Sequence, residues 1–356
     1  MFLPGLQLSR AFYTEAVRPL LDDVPHSAAR IGAGSEVLGF DTPRSADHEW
    51  GPRLEVFVPP DAAGRVPELH RRLAERLPRT FRGFPTHFES VEGDHIGRMT
   101  STDGPVRHRV DLGTVGQWWT SRLGVDPRAG LRPLDWLTLP TQSLAEVTAG
   151  AVFHDGLGEL EPLRAHLAWY PPDVWRYVLA CQWRRIAQEE AFVGRAGEVG
   201  DELGSAVVAA RLVRDLVRLA LLLHRRYPPY SKWLGSAFAT LPVATALDPV
   251  LRGALAATSW RDRERHLAAA YTTLAAVQND TGLTTPVDPG TRPYFSRPFE
   301  VLAADRVVDA LLAAVTDAEI AALPRVGALD QYADHTDLLT DPARRRAVAL
   351  AALCPA

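Results

Sequence analysis

A stretch near the N-terminus combines small residues with two closely spaced carboxylates. Gly34 and Ser35 come first, and Asp47 and Glu49 follow after the intervening residues 36–46. Because alternate side chains of an extended strand point to the same face, we expect Asp47 and Glu49 to project together while His48 points away. Two adjacent carboxylates repel each other unless a cation lies between them, and Mg²⁺ or Mn²⁺ prefers oxygen ligands of this kind. The spacing therefore predicts a metal platform on a strand.

The Gly-Ser pair provides groups that could contact phosphate. Gly34 has no side chain, so the backbone can come close to a ligand there. The Ser35 hydroxyl and the neighbouring backbone amides can donate hydrogen bonds to phosphate oxygens. Protein-bound Mg²⁺ often shares its ligands with substrate phosphates, so the turn and the two acids together predict a site for a metal-bound triphosphate.

These motifs resemble those of a known superfamily. Gly-Ser, a spacer of this length and a carboxylate-x-carboxylate on a strand are similar to the signature of the polymerase-β-like nucleotidyltransferases, which include the kanamycin-type antibiotic nucleotidyltransferases. The segments GSEVLGFDTPRSADHEWGPRL, FHDGLGEL, GRAGEVGDELGS and PYSKWLG resemble more closely a family described only as a domain of unknown function (DUF4037). The resemblance implies a nucleoside triphosphate substrate, ATP by default, and a divalent metal.

The resemblance also implies roles for individual residues. Asp47 and Glu49 would hold the metal, while Gly34 and Ser35 would hold the β- and γ-phosphates. Superfamily sites usually take a third carboxylate from a neighbouring strand, and the Val-Asp-Leu context of Asp111 resembles that motif. This acid would coordinate the metal beside the acceptor oxygen or take its proton. Glu55 is the competing choice, and an aspartate at a strand end can also simply bond to a turn.

Basic residues near these motifs are further candidates for nucleotide binding. Arg44 and Arg53 flank the acids and could pair with the triphosphate or neutralise the carboxylates. Lys232 is the single lysine among 39 Lys and Arg residues. It follows Tyr230 and Ser231 in a short polar segment, where it would either screen phosphate charge or lie on a solvated loop.

Two departures from the superfamily pattern favour a second hypothesis. The residue between the acids is His48 where an apolar residue is usual, and the residue after Gly-Ser is the acidic Glu36. A histidine in that position could be a buried neighbour of the metal or a sign that the site no longer catalyses a reaction. A noncatalytic nucleotide-binding regulatory protein is therefore the alternative to an active transferase.

Composition limits the other possibilities. The chain has 356 residues with 46% hydrophobic content, which predicts two cored domains. The net charge of −4 argues against nonspecific nucleic-acid binding, since such binding requires a basic face. Two distant cysteines, no basic leader and no long uncharged apolar run predict a cytoplasmic protein without a membrane segment.

The periodicity predicts an α+β chain, in which a mixed sheet flanked by helices precedes an all-α region. We expect a helix over 6–24, a strand ending near Gly32, a strand continuing over 53–58, a helix over 66–77, and strands over 86–91 and 106–112, with turns over 92–105. From about residue 134 the pattern is helical over 141–151, 173–192, 202–227, 250–257, 262–280, 299–314 and 342–353.

The predicted division is therefore 1–133 for a nucleotidyltransferase domain and 134–356 for a helical domain that closes the nucleotide and acceptor cleft. Within the helical part, residues 194–202 read as a glycine-rich polar loop in which Arg195 could meet a ligand. Asp201 is expected to cap the helix that begins near Glu202.

The leading hypothesis is transfer of a nucleoside monophosphate, AMP from ATP by default, to a hydroxyl or phosphate of a small molecule, with release of pyrophosphate. The alternatives are nucleotide binding without turnover and transfer to a protein or a tRNA. The sequence leaves open the acceptor, the base and the oligomeric state.

Overall fold

The computed structural model describes residues 2–21, 23–90 and 97–354. The chain is α+β and divides into two compact units. The first, called the sheet unit, consists of Met1–Gly130 and Ser143–Ala168. The second, called the helical unit, consists of Leu131–Gln142 and Trp169–Ala356.

The sheet unit is built around a four-stranded mixed sheet. The strand order is β7-β2-β1-β8, where β1 pairs antiparallel with β2 and β8, and β2 pairs parallel with β7. Two short hairpins accompany the sheet. The strands are β1 (Ser27–Arg30), β2 (Arg53–Phe57), β3 (Thr80–Phe81), β4 (Phe84–Pro85), β5 (His87–Ser90), β6 (Gly97–Thr100), β7 (Arg109–Gly113) and β8 (Ala151–Asp155).

Helices of the sheet unit cover the sheet with apolar side chains. The predicted opening helix is confirmed as α1 (Gly5–Phe12), which continues through a π turn over Tyr13–Val17 and a 3-10 turn over Arg18–Leu20. Its Leu8 and Phe12 are fully buried in the same core as Val56 of β2. The other helices of this unit are α2 (Val66–Arg76), α3 (Val115–Leu123) and α6 (Leu160–Leu167), with 3-10 turns at Pro43–Asp47, Pro60–Arg65 and Pro127–Ala129.

The prediction that Asp47 and Glu49 lie on a strand is wrong. Asp47 ends the 3-10 turn Pro43–Asp47, which Thr42 caps and Pro43 begins. Glu49 has a φ of +45°, in the left-handed region that a strand does not use. The strand β2 begins only at Arg53, after the chain has turned. The two acids therefore do not alternate along one extended segment.

The predicted boundary at 133/134 also differs from the observed division. The helix predicted over 141–151 ends at Thr148, and Ala151–Asp155 form β8, which pairs with β1. A side-chain hydrogen bond also connects β8 to β1, because Asp155 Oδ1 accepts from Ser27 Oγ at 2.8 Å. The chain thus returns to the sheet unit after the short segment Leu131–Gln142.

The helical unit follows the predicted helical pattern closely. Asp201 caps α9 as predicted, since its Oδ1 accepts from Gly204 N at 2.7 Å. Helix α5 (Thr141–Thr148) begins at the end of the segment Leu131–Gln142 and belongs to the sheet unit from Ser143 onward. The remaining helices of the helical unit are α4 (Pro133–Leu137), α7 (Pro172–Glu189), α8 (Phe192–Glu198), α9 (Glu202–Leu223), α10 (Ser231–Phe238), α11 (Ala244–Ala256), α12 (Trp260–Asp280), α13 (Asp305–Ala313), α14 (Ala318–Ala321), α15 (Leu329–Tyr332), α16 (Thr336–Leu339) and α17 (Pro342–Leu353), with the strands β9 (Arg292–Pro293) and β10 (Glu300–Val301).

The predicted glycine-rich loop over 194–202 is wrong for its first half, which is the helix α8. Its glycines allow close packing instead of a turn. A Cβ on Gly194 would lie 2.7 Å from Phe299 Cδ1, and one on Gly197 would lie 2.0 Å from Trp260 Cγ. Arg195, proposed as a ligand contact, is exposed on α8 and lies over the Phe192 ring at 5.5 Å.

Two further expectations concern segments that the structure covers in part. The predicted turns over 92–105 contain the strand β6, while residues 91–96 lie outside the described part of the chain. Within the described residues, every helix is too short or too polar to cross a bilayer.

Candidate functional site

Three buried charged residues and one partly buried arginine form an ion-pair network at one end of β1 and β2, which we call the Arg-Glu cluster. It consists of Arg30, Glu36, Arg53 and Glu55. Arg30 Nε lies 2.8 Å from Glu36 Oε1, and Arg30 Nη1 lies 2.7 Å from Glu55 Oε1. Arg53 Nη2 lies 2.7 Å from the same Glu36 oxygen. One guanidinium, that of Arg30, therefore bridges the two carboxylates.

The sheet and the Gly-Ser turn position the cluster. Arg30 ends β1, and Glu55 lies on β2 with Arg53 two residues before it, so Arg53 and Glu55 share a strand face. Glu36 follows the Gly-Ser pair. Gly34 packs directly on the cluster, because a Cβ there would lie 2.6 Å from the Nη2 atoms of both arginines and from Glu36 Oε2. Only glycine fits this close approach.

Burial and charge determine the protonation of the two glutamates. Burial alone would raise the pKa of Glu36, but the charges of Arg30 and Arg53 outweigh burial and lower that pKa below its ordinary value. Burial raises the pKa of Glu55, and the charge of Arg30 opposes that rise. Glu36 Oε2 is buried and has no hydrogen-bond partner among the described residues.

Three of the four carboxylate oxygens of the Arg-Glu cluster are already paired with protein donors, so the cluster does not fit a magnesium ion. Glu55 Oε1 accepts a hydrogen bond from Arg30 Nη1, and Glu55 Oε2 accepts one from the backbone N–H of Ile31 at 3.0 Å. Glu36 Oε1 forms ion pairs with both Arg30 and Arg53. Arg30 occupies the space between carboxylates where a divalent cation would bind. Over the whole described part of the chain, no group of three or more His, Cys, Asp or Glu side chains has a metal-binding arrangement.

Asp111 lies next to the cluster on the neighbouring strand. It pairs in parallel register with Glu55, so the two candidates for the third carboxylate lie side by side on neighbouring strands. Glu55 is buried, whereas Asp111 is exposed. Asp111 is close enough for its charge to act on both Arg30 and Glu55.

Asp47 and Glu49 have different partners. The Asp47 side chain is 56% exposed, and its Oδ1 lies 2.8 Å from His48 Nδ1. Glu49 Oε1 lies 2.6 Å from Arg109 Nη2, and its Oε2 lies 3.5 Å from Arg53 Nη1. The structure thus connects Glu49 to the rim of the Arg-Glu cluster through Arg53, while Asp47 faces solvent.

The remaining predicted residues fall into two places. Ser35 is half-buried in the turn, where its carbonyl accepts a hydrogen bond from Phe40 N, and Arg44 is exposed on the 3-10 turn before Asp47. The other three lie in the helical unit. Tyr230 precedes α10, and Ser231 and Lys232 begin it. Both Tyr230 and Lys232 are exposed, and Lys232 Nζ lies 4.9 Å from the centre of the Trp233 ring.

Sequence reasoning missed Arg30, which connects the cluster. The available signal was an arginine directly after the apolar pair Ala28-Ala29 and shortly before glycine, where a strand ends in the core. An arginine there must be paired with acids, and Glu36 and Glu55 are its partners in the structure.

One comparison with known families gives a match. Residues 136–234 match the family model described as Domain of unknown function (DUF4037). The matched DUF4037 segment begins within α4, includes β8 and ends within α10, so it contains Lys232 but neither the Gly-Ser turn nor β2. No curated protein and no solved structure matches the chain.

Proposed function

We propose that the sheet unit binds a nucleoside triphosphate without transferring its nucleotidyl group. The observation that carries this proposal is the position of the Arg30 guanidinium between Glu36 and Glu55. The nucleotidyltransferase resemblance calls for two carboxylates on one strand face beside a Gly-Ser turn. Strand β2 presents Arg53 and Glu55 there, and Gly34 packs against Arg53.

Arginine in place of a metal changes the chemistry available at the turn. Metal-assisted transfer needs carboxylate oxygens that are free to bind the cation, and those of Glu55 already receive other donors. Breaking a buried ion pair to free them is expensive. Arginine can instead contact phosphate directly through its planar set of donors. Arg53 and Arg109, which both pair with Glu49, would contact the triphosphate.

Nucleotidyl transfer to a small molecule, a protein or a tRNA is the second candidate function. The observation that favours it is that Asp111 on β7 and Asp47 are exposed. Neither carboxylate is paired with an arginine within the described residues, so both are available to a magnesium-bound nucleotide from solution. Transfer would then depend on these two acids and not on the Arg-Glu cluster.

The experiment that separates the two functions measures binding and turnover on the same full-length protein. We would incubate it with Mg²⁺ and each labelled nucleoside triphosphate, and follow equilibrium binding together with pyrophosphate release in the presence of a metabolite pool. We expect binding without pyrophosphate release. We also expect Arg53→Met to weaken binding about tenfold or more, while Arg98→Met, an exposed arginine on β6, leaves binding unchanged.

The outcomes discriminate clearly. Pyrophosphate release that disappears in Asp47→Asn or Asp111→Asn would establish the second candidate instead. Binding that survives Arg53→Met but is lost on changing a buried arginine of α9, Arg218→Met, would place the nucleotide in the helical unit and overturn the proposed site. Absence of binding for every nucleotide would overturn both functions.

A further inference from the structure

A cavity of about 340 Å³ lies within the helical unit and is lined mainly by charged side chains. This volume is at the lower end of the range for small-molecule sites. Four arginines and three aspartates line it, so the formal charge of the lining is 4 − 3 = +1. The charged residues are Arg185, Arg211, Arg214, Arg218, Asp215, Asp330 and Asp334.

Three helices build the cavity. On α9, residues 211, 214, 215 and 218 recur at intervals of three and four, so their side chains project from one helical face. Helix α7 contributes Arg185, whose Nη2 lies 3.2 Å from Asp215 Oδ2. Helix α15 contributes Asp330. Arg214 Nη1 lies 3.2 Å from Asp334 Oδ2, just beyond α15. Arg211 Nε lies 3.2 Å from Glu189 Oε2 of α7, so all four lining arginines are paired with carboxylates.

The floor of the cavity contains a donor and an acceptor that lack hydrogen bonds. Arg218 is 7% exposed and Asp330 is 8% exposed. Arg218 Nη2 lies 3.2 Å from Asp330 Oδ2, an ion contact, but that oxygen already accepts hydrogen bonds from the amide and hydroxyl of Thr141. Neither Arg218 Nη2 nor Asp330 Oδ1 has a hydrogen-bond partner among the described residues. Buried polar groups are rarely left unpaired, so we expect a bound water, ion or ligand to satisfy these two atoms.

We propose that this cavity binds a small phosphomonoester that carries a hydroxyl group close to its phosphate, as sugar and polyol phosphates do. A phosphate oxygen would accept the free hydrogen bond of Arg218, and a ligand hydroxyl would donate to Asp330 Oδ1. Arg211, whose side chain is 55% exposed and pairs with Glu189, provides a second guanidinium in the cavity lining. The small positive charge of the lining suits one phosphate better than a triphosphate. The proposal does not depend on nucleotide binding by the sheet unit.

The test uses isothermal titration calorimetry on the full-length protein at low salt. The probes are glycerol 3-phosphate and glucose 6-phosphate, and the comparison ligands are glycerol, glucose and inorganic phosphate. We expect at least one phosphate ester to bind and the neutral polyols not to bind. Arg218→Met should weaken ester binding at least tenfold, whereas Arg252→Met, an exposed arginine on α11, should leave it unchanged.

A second variant tests the hydroxyl contact separately from the phosphate contact. Asp330→Asn should weaken binding of the ester more than binding of inorganic phosphate, because only the ester has an alcohol hydroxyl that can donate to Asp330 while its phosphate contacts Arg218. If inorganic phosphate binds as tightly as the esters, the hydroxyl contact is overturned.

The proposal that the cavity is a phosphoester site is overturned if no ester binds, or if ester binding is unchanged in Arg218→Met. Should that variant fail to fold, the double variant Arg211→Met/Arg214→Met replaces it, since both side chains are more than a third exposed. The double variant should weaken ester binding several-fold, and unchanged binding would again overturn the site.

Discussion

At the scale of single residues, the sheet unit depends on charges buried in its core. Arg30 is 2% exposed and is held by Glu36 and Glu55, which are 1% and 4% exposed. Each of these charges is stable in the interior only because the others compensate it. A histidine-carboxylate contact at the surface, such as His48 with Asp47, contributes little by comparison.

Removing the central arginine should therefore destabilise the protein strongly. We expect Arg30→Met to lower the free energy of unfolding by about 3–5 kcal/mol, because Glu36 and Glu55 would be left buried without their shared partner. Urea denaturation followed by circular dichroism measures this change. The matched control Arg98→Met, on the exposed side of β6, should change stability by less than about 0.5 kcal/mol. Equal effects of the two variants would contradict the bridging role of Arg30.

Glu190, a buried acid of the helical unit, makes the stability of that unit depend on pH. Glu190 is 7% exposed, and its carboxylate accepts hydrogen bonds from Leu302 N at 2.8 Å and Ala304 N at 3.0 Å. Burial nevertheless raises the pKa of Glu190 from 4.5 to about 7. Because the folded state holds this proton more tightly than the unfolded state, its stabilising contribution is complete below about pH 4.5 and is lost as the pH rises through about 7.

This contribution can be isolated with Glu190→Gln. Between about pH 4.5 and 7, we expect this residue to account for a fall in unfolding free energy on the order of 3 kcal/mol in the wild type, and the variant should lose that part of the slope. Urea unfolding at a series of pH values provides the measurement. Glu189→Gln, a change at the adjacent residue, should retain the wild-type slope. A slope that persists in Glu190→Gln would contradict the assignment.

At the scale of elements, glycines within helices act here through packing. Gly194 and Gly197 on α8 allow the aromatic rings of Phe299 and Trp260 to lie against the helix backbone. Gly235 on α10 is different, because nothing lies within 4 Å of the position where its Cβ would be. The two classes look the same in sequence, since both are glycines inside helical patterns.

These glycines should respond oppositely to alanine. We expect Gly197→Ala to destabilise the protein by about 1–3 kcal/mol, because a Cβ would overlap Trp260. Gly235→Ala is the matched control, and it should stabilise the protein by up to about 1 kcal/mol because alanine favours the helix. Thermal denaturation compares the two. Stabilisation by both substitutions would show that α8 does not pack closely against α12.

At the scale of the whole molecule, the chain crosses between its units three times. The sheet unit has its own core around Leu8, Phe12 and Val56. The chain re-enters this unit at residue 143, and its strand β8 then pairs with β1. The helical unit has a separate core on α7, α9 and α12. Two cores of this kind are expected to unfold as separate cooperative units.

Hydrogen exchange can test which residues unfold together. In Arg30→Met, peptides containing β8 (Ala151–Asp155) should lose protection together with those of β1 and β2, because β8 pairs with β1. Peptides from α12 should keep their wild-type exchange rates, and in Gly197→Ala the pattern should reverse. Exchange of β8 in step with α12 would contradict the observed division.

Local patterns in the sequence determined much of this protein: the α+β class, most helices after residue 134, the cap of α9 by Asp201 and the glycine turn at residue 34. These features depend on neighbours within a few positions, which periodicity and capping residues record directly. Tertiary structure alone decided that Arg30 would lie between Glu36 and Glu55, that Asp47 and Glu49 would leave the strand, and that β8 would return to β1. Such outcomes depend on residues far apart in the chain, where partners are chosen by burial and charge compensation rather than by spacing.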